Sequence, residues 1–257
     1  MFYKNILETT PIYMFGFISL FSGQPIYDAI MYATFNTFYT SLPILFFATF
    51  DYEYPKEILA KRPRLYRIGL EDLHFNKWVF WRWAFYGLWQ STLILFLAYF
   101  ALDHRSPNDE GKYTGIWVSS NLVFCMLVIV SNMKILISSY RISWPIIFLT
   151  VASTGVYFVI YTLQSLTTPI TEQYGTLFMM ADAAQTYFVL MLFTFMFVLV
   201  DTGLSNANTY INKWYLKAIQ KAKVMQQHKD AKSKSVIKRK VTSFKSRGFA
   251  FSQAPGQ

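Results

Sequence analysis

The chain has 257 residues, 54% of them hydrophobic and 19% aromatic, with only 15% charged and a formal net charge of +10. Long uncharged runs at that composition exclude an ordinary soluble domain and place the sequence in the membrane class. Half of the 24 lysines and arginines lie beyond residue 210, so the positive charge points to a basic tail rather than to a nucleic-acid-binding body.

The fold class expected is all-α: a polytopic membrane protein with six transmembrane helices and a basic C-terminal tail. The first span is predicted at about residues 2–22. Within it Lys4 and Glu8 stand one helical turn apart, a spacing at which they can pair. Thr9, Thr10 and Pro11 follow, and Pro11 has no N–H for the Leu7 carbonyl, so a bend is expected there. An ionisable residue inside a span is a functional-site candidate. Lys4 also stands near enough to the start to snorkel to the interface, and the residues alone leave both readings open.

A polar turn, Ser22-Gly23-Gln24-Pro25, leads to a second span at about 29–50. Its twenty or so mostly apolar residues reach across a bilayer core at ~1.5 Å per residue. Asn36, Thr40 and Pro43 fall at i, i+4 and i+7, so one helical face carries the polarity. Pro43 leaves the Tyr39 carbonyl without its helical donor. Such a face must look into protein or a wet cavity. It fits a transport pathway, and it equally fits polar glue between helices.

The remaining spans are predicted at about 78–101, 116–137, 144–164 and 183–203. The third opens on Trp78-Val79-Phe80-Trp81-Arg82-Trp83, an aromatic belt from which Arg82 can snorkel. Ser119, Ser120, Asn121, Ser131, Asn132 and Lys134 of the fourth, with Thr150, Ser153 and Thr154 of the fifth, read as packing residues in a support scaffold. Lys56, Lys61, Arg62, Arg64, Arg67 and Lys77 crowd the 51–77 loop, whereas 165–182 has no lysine or arginine. With Arg141 and the tail on the same face, the positive-inside rule makes both termini cytosolic. The organisation expected is thus a six-span domain over 1–203 and a basic cytosolic tail over 204–257. Ile211, Trp214, Tyr215 and Ile219 suggest a surface amphipathic helix over 209–227, and 228–247 is too charged to form a core. No removable signal peptide is expected at the N-terminus.

No catalytic arrangement can be assembled. His74, His104 and His228 fall on separate loops or the tail, the single Cys125 forms no cluster, and there is neither a phosphate-binding glycine loop nor a metal-spaced Cys/His set. A lipid transporter, an uncoupled six-span carrier and a non-catalytic membrane subunit all remain compatible with the residues.

Four motifs separate these classes. Ser22-Gly23-Gln24, Tyr27-Asp28, Asn36, Thr40-Ser41-Leu42-Pro43 and Phe50-Asp51 together resemble the sixth span of type IV P-type ATPases, the phospholipid flippases. Phe2-Tyr3-Lys4-Asn5-Ile6 is similar to that family's fifth span. Pro63, Leu65-Tyr66, Gly69 and Phe75-Asn76 resemble its loop between spans six and seven, and Gly248-Phe249-Ala250-Phe251-Ser252 its C-terminal motif, with Phe for Tyr. The matches run in family order across nearly the whole chain. The resemblance implies that this is the C-terminal membrane portion, spans five to ten plus tail. It implies that Lys4, Asn5, Asn36, Thr40, Ser41 and Pro43 line a headgroup path within the membrane, and that Arg247–Ser252 belongs to an autoinhibitory tail. It further implies a two-span accessory β-subunit, phospholipid as the transported ligand, and ATP with magnesium used by domains elsewhere. The Asp-Lys-Thr-Gly-Thr phosphorylation motif is not in this sequence, so hydrolysis by the chain alone is not expected; a fragment, a truncated gene model and a separate subunit all fit. Glu8–Pro11 departs from the largely apolar family pattern. Plasma membrane and endomembrane are not distinguished.

Overall fold

The computed structural model describes residues 2–61, 77–102, 115–167, 172–207, 209–211 and 214. The Pro63–Asn76 motif and the 247–252 motif lie outside them, as do the three histidines and most of the 209–227 segment. The chain divides into a unit of Met1–Thr202 and a second of Gly203–Gln257, and the first carries the site.

Every regular element among the described residues is helical. Helix α1 spans Phe2–Ile18, α2 Ala29–Thr34 and α3 Ser41–Phe50, with a π-helical turn at Phe35–Tyr39 between α2 and α3. A short α4 at Lys56–Lys61 precedes α5, Lys77–Ala101, α6, Ile116–Ser138, and α7, Trp144–Leu166. Helix α8 covers Thr176–Asp182 and α9 Ala184–Ile211. Helices α5, α6, α7 and α9 are long and apolar enough to cross a membrane. They lie over the third to sixth expected spans, with α9 running past the expected end.

The first two expected spans differ from the expectation in form. Helix α1 stops at Ile18, and the chain reverses through Leu20 and Phe21, both left-handed at φ 53° and 55°. Phe21 N–H donates to the Gly16 carbonyl at 2.8 Å, and the Phe21 ring then lies where a Cβ on Gly16 would stand, 2.8 Å from Cε1. The second expected span is not one helix. Asp28 caps α2, its carboxylate accepting from the N–H groups of Ile30 at 2.9 Å and Met31 at 3.3 Å. The π-helical turn then ends at Thr40, whose backbone (φ −135°, ψ −9°) breaks the helix before α3 begins. Pro43 explains the break: it offers no N–H to Tyr39, and its ring crowds that carbonyl. The break is packed inside the protein, with Tyr39, Thr40 and Pro43 all buried.

Helix α6 is the hub. Val118 to Val128 is buried without interruption, and about two-thirds of its most apolar window is covered, against a third or less for α5, α7 and α9. It is wrapped by α5 and α7, which in turn hold α1 and the α2–α3 segment. Phe124 of α6 meets Tyr27, Phe35 and Tyr39 edge-on, with centroids 5.1–6.0 Å away. Tyr157 of α7 closes the cluster, edge-on to Tyr39 at 5.5 Å. Such pairs each add about 0.5–1.5 kcal/mol beyond area burial, enough to fix the broken helix against the hub. At the far end of α3, the Asp51 carboxylate accepts from the N–H groups of Tyr140 and Arg141, both at 3.1 Å, clamping the α6–α7 turn. Helices α1 and α5 approach closely at Gly87, where a Cβ would lie 3.3 Å from Tyr3 Cδ2 and Ile6 Cγ2.

Candidate functional site in the broken helix

Breaking a helix leaves backbone groups that must find partners. The Tyr39 carbonyl finds Asn132 of α6, whose Nδ2 donates to it at 3.0 Å and to Thr154 Oγ1 at 3.1 Å. Asn132 is fully buried. The Thr40 hydroxyl donates back to the Phe35 carbonyl at 3.0 Å, five residues away, in keeping with the wider turn. Ser41 Oγ bonds the Thr37 carbonyl. Thr40 provides no side-chain cap for the first turn of α3, so the positive end of that helix opens at the break.

Lys4 is aimed at the same point. It is 8% exposed, Thr40 is 0% exposed, and Lys4 Nζ donates to Thr40 Oγ1 at 2.8 Å. One turn along α1, Glu8 is 2% exposed and its Oε2 accepts from Asn36 Nδ2 at 3.1 Å. Asn36 itself is exposed. The expected direct pairing of Lys4 with Glu8 is therefore replaced by two cross-links to the opposite helix, one from each charge. Each charge thus has one interhelical partner, Thr40 for Lys4 and Asn36 for Glu8 Oε2, where an i, i+4 pair would have turned them along α1.

The structure thus brings together Lys4, Asn36, Thr40 and the buried Pro43, and adds Glu8 to them. It does not bring in Asn5, which is exposed and has its carbonyl bonded by Thr9 Oγ1 at 2.9 Å. Ser41 is half-buried and serves its own backbone. Helix α1 runs unbroken through Pro11, with Thr10 Oγ1 bonded to the Ile6 carbonyl at 2.7 Å.

Two features escaped the sequence reading. Asn132 read only as helix glue; its specific task is to cap the carbonyl that Pro43 orphans, and Pro43 was the signal that such a donor had to exist. The second is an ion pair, Lys134 Nζ to Asp201 Oδ2 at 3.0 Å, with the acid buried and the lysine partly so. Lys134 sits 4.1 Å from the Tyr86 ring centroid, 5.2 Å from Trp83 and 5.5 Å from Tyr3. Tyr86 bonds Asp201, and Tyr3 bonds Gln90. The cluster ties the start of α1 to α5, α6 and α9, so it holds Lys4 from behind. The lone acid closing the largely apolar run of residues 187–200 was the available clue.

Comparison with known proteins gives the family. A family profile described as "Phospholipid-translocating P-type ATPase C-terminal" matches residues 1–214. The mouse protein "Phospholipid-transporting ATPase 11C" is 31% identical over 143 residues, 56% of this chain and 13% of that protein. Mouse "Phospholipid-transporting ATPase ID" is 33% identical over 134 residues, 52% of this chain and 11% of that protein. "Phospholipid-transporting ATPase 10" of Arabidopsis thaliana is 26% identical over 201 residues, 77% and 17% respectively. The chain spans less than a fifth of the length of these relatives. With the profile covering most of the chain, this integral membrane protein belongs to the C-terminal membrane region family of phospholipid-translocating P-type ATPases.

Proposed function

We propose that the chain supplies part of the path along which a phospholipid headgroup crosses the bilayer in an ATP-driven flippase. The observation that carries this reading is the Lys4 Nζ–Thr40 Oγ1 bond at a helix break fastened by Asn132. A headgroup in hydrocarbon costs on the order of several kcal/mol per unpaired polar group. Lys4 and the uncapped start of α3 offset that cost for a phosphate, and Asn36 offers an exposed amide beside it. Asn5 and Ser41 stand at the margins of the path, and Pro43 keeps it open by forbidding the helical repair. A break near the middle of a span also gives a place for the alternating movement that transport requires.

Six crossings follow if α1 and the α2–α3 pair each traverse the bilayer beside α5, α6, α7 and α9, with cytosolic termini set by the basic 51–77 loop and tail. In that arrangement residues 1–203 form the membrane domain and 204–257 the tail. Arg247, Gly248, Phe249, Ala250, Phe251 and Ser252 are its regulatory contact with the ATPase domains. A two-span β-subunit is the expected accessory partner. In this reading ATP and magnesium are used by ATPase domains outside this chain.

The test is lipid-stimulated ATP hydrolysis by the intact enzyme containing this chain. Lys4→Ala with Asn36→Ala is expected to weaken apparent lipid affinity by about tenfold or more, the equivalent of one charge-assisted hydrogen bond. Unchanged turnover and affinity would overturn the assignment.

A further inference from the structure

Buried acceptors without a partner are uncommon and call for an explanation. Glu8 Oε1 is one: it lies in a residue 2% exposed and has no hydrogen-bond partner, although Oε2 of the same carboxylate takes Asn36. One turn away is the opposite charge, Lys4, held off it by Thr40. The two oppositely charged residues thus stand four positions apart on one helix, about 6 Å of backbone rise, and neither neutralises the other by contact. That arrangement complements a ligand carrying its own opposed charges a short distance apart. A phosphate and an ammonium separated by two carbons form such a ligand, with phosphate against Lys4 and ammonium against Glu8.

We propose that Lys4 and Glu8 form a dipolar cradle selecting headgroups with a primary ammonium and no carboxylate, of the ethanolamine type, over the serine type. The inference rests on the headgroup-path reading above. Ethanolamine brings N–H donors to the orphaned Oε1. Choline brings the charge without an N–H and ranks second. Serine brings a second carboxylate towards Glu8, and like charges brought together in a desolvated site cost several kcal/mol. Asn36, exposed on the outer side of Glu8, leaves the approach on that flank polar.

The experiment reconstitutes the 257-residue chain in nanodiscs of phosphatidylcholine doped with photoactivatable phosphatidylethanolamine or phosphatidylserine, and compares cross-linked yields. Wild type is expected to retain the ethanolamine lipid about tenfold or more over the serine lipid, the ratio set by ~1.4 kcal/mol. Glu8→Gln, similar in size, is expected to bring the two within about threefold, and Glu8→Asp to keep the preference. Equal labelling in wild type, or a ratio unmoved by Glu8→Gln, overturns the cradle. Lys4→Ala separates the two readings: it is expected to lower labelling by both lipids, and full labelling by both would refute the headgroup path itself. Soluble glycerophosphoethanolamine added as competitor is expected to leave lipid labelling intact. Displacement by it at concentrations matching the lipid would assign the cradle to a free zwitterion and overturn the lipid reading.

Discussion

Replacing Asn132 by leucine removes the donor to the Tyr39 carbonyl and to Thr154 Oγ1 while nearly conserving volume. Hydrogen bonds between membrane helices are worth about 0.6 kcal/mol on average and up to about 1.7, because the unfolded reference also finds partners. Asn132 belongs at the upper end. Its Nδ2 lies 3.0 Å from a carbonyl that Pro43 deprives of its helical N–H, at a fully buried position. About 1.5 kcal/mol is expected in Asn132→Leu, measured by reversible unfolding in mixed micelles. Pro43→Ala returns an N–H to the fourth residue after Tyr39, so in that background the helix can supply its own donor. The cost of Asn132→Leu should then fall to about 0.5 kcal/mol, leaving a coupling near 1 kcal/mol in a double-mutant cycle. Equal costs in both backgrounds would refute the idea that Asn132 stands in for the bond that proline removes.

Other outcomes follow from the same contacts. Lys134→Ala leaves Asp201 buried beside Tyr86 and should destabilise the chain by about 3–5 kcal/mol, whereas Lys134→Met with Asp201→Leu should recover most of it in the same unfolding assay. Gly87→Val places a branched side chain against Tyr3 and Ile6, with atoms already 3.3 Å from the Cβ position. It should cost about 1–3 kcal/mol and lower Lys4-dependent lipid labelling as α1 moves off α5. Asp51→Ala releases the Tyr140 and Arg141 N–H groups; about 1 kcal/mol of stability is expected to go, with faster limited proteolysis at 139–143.

Much of this architecture was legible because its causes are local. Hydropathy and length marked α5, α6, α7 and α9, and Pro43 announced that the second span carried an orphaned carbonyl. The spacing of Asn36, Thr40 and Pro43 put their polarity on one face. Partners were not legible, because periodicity gives the face of a helix and not what meets it. Asn132 and Tyr39 are 93 residues apart, and Glu8 turns to Asn36 across 28. The i, i+4 rule pointed Lys4 at Glu8, yet the opposing helix offered each a better-placed partner. The π-helical turn was hidden for a related reason: a proline implies a disrupted helix, but the packing of Phe35 and Tyr39 on Phe124 decides how the chain absorbs it.

In the proposed path Lys4, Asn36 and Thr40 receive a headgroup while the neighbouring surface meets acyl chains. The direct measurement places a photoreactive amino acid at Asn36 or at Phe38, both exposed, in the intact enzyme, with phospholipids isotopically labelled in the headgroup or in the acyl chain. Headgroup adducts at position 36 that depend on Lys4, with acyl adducts at position 38, are the predicted result. Acyl adducts at both positions, unaffected by Lys4→Ala, would contradict it.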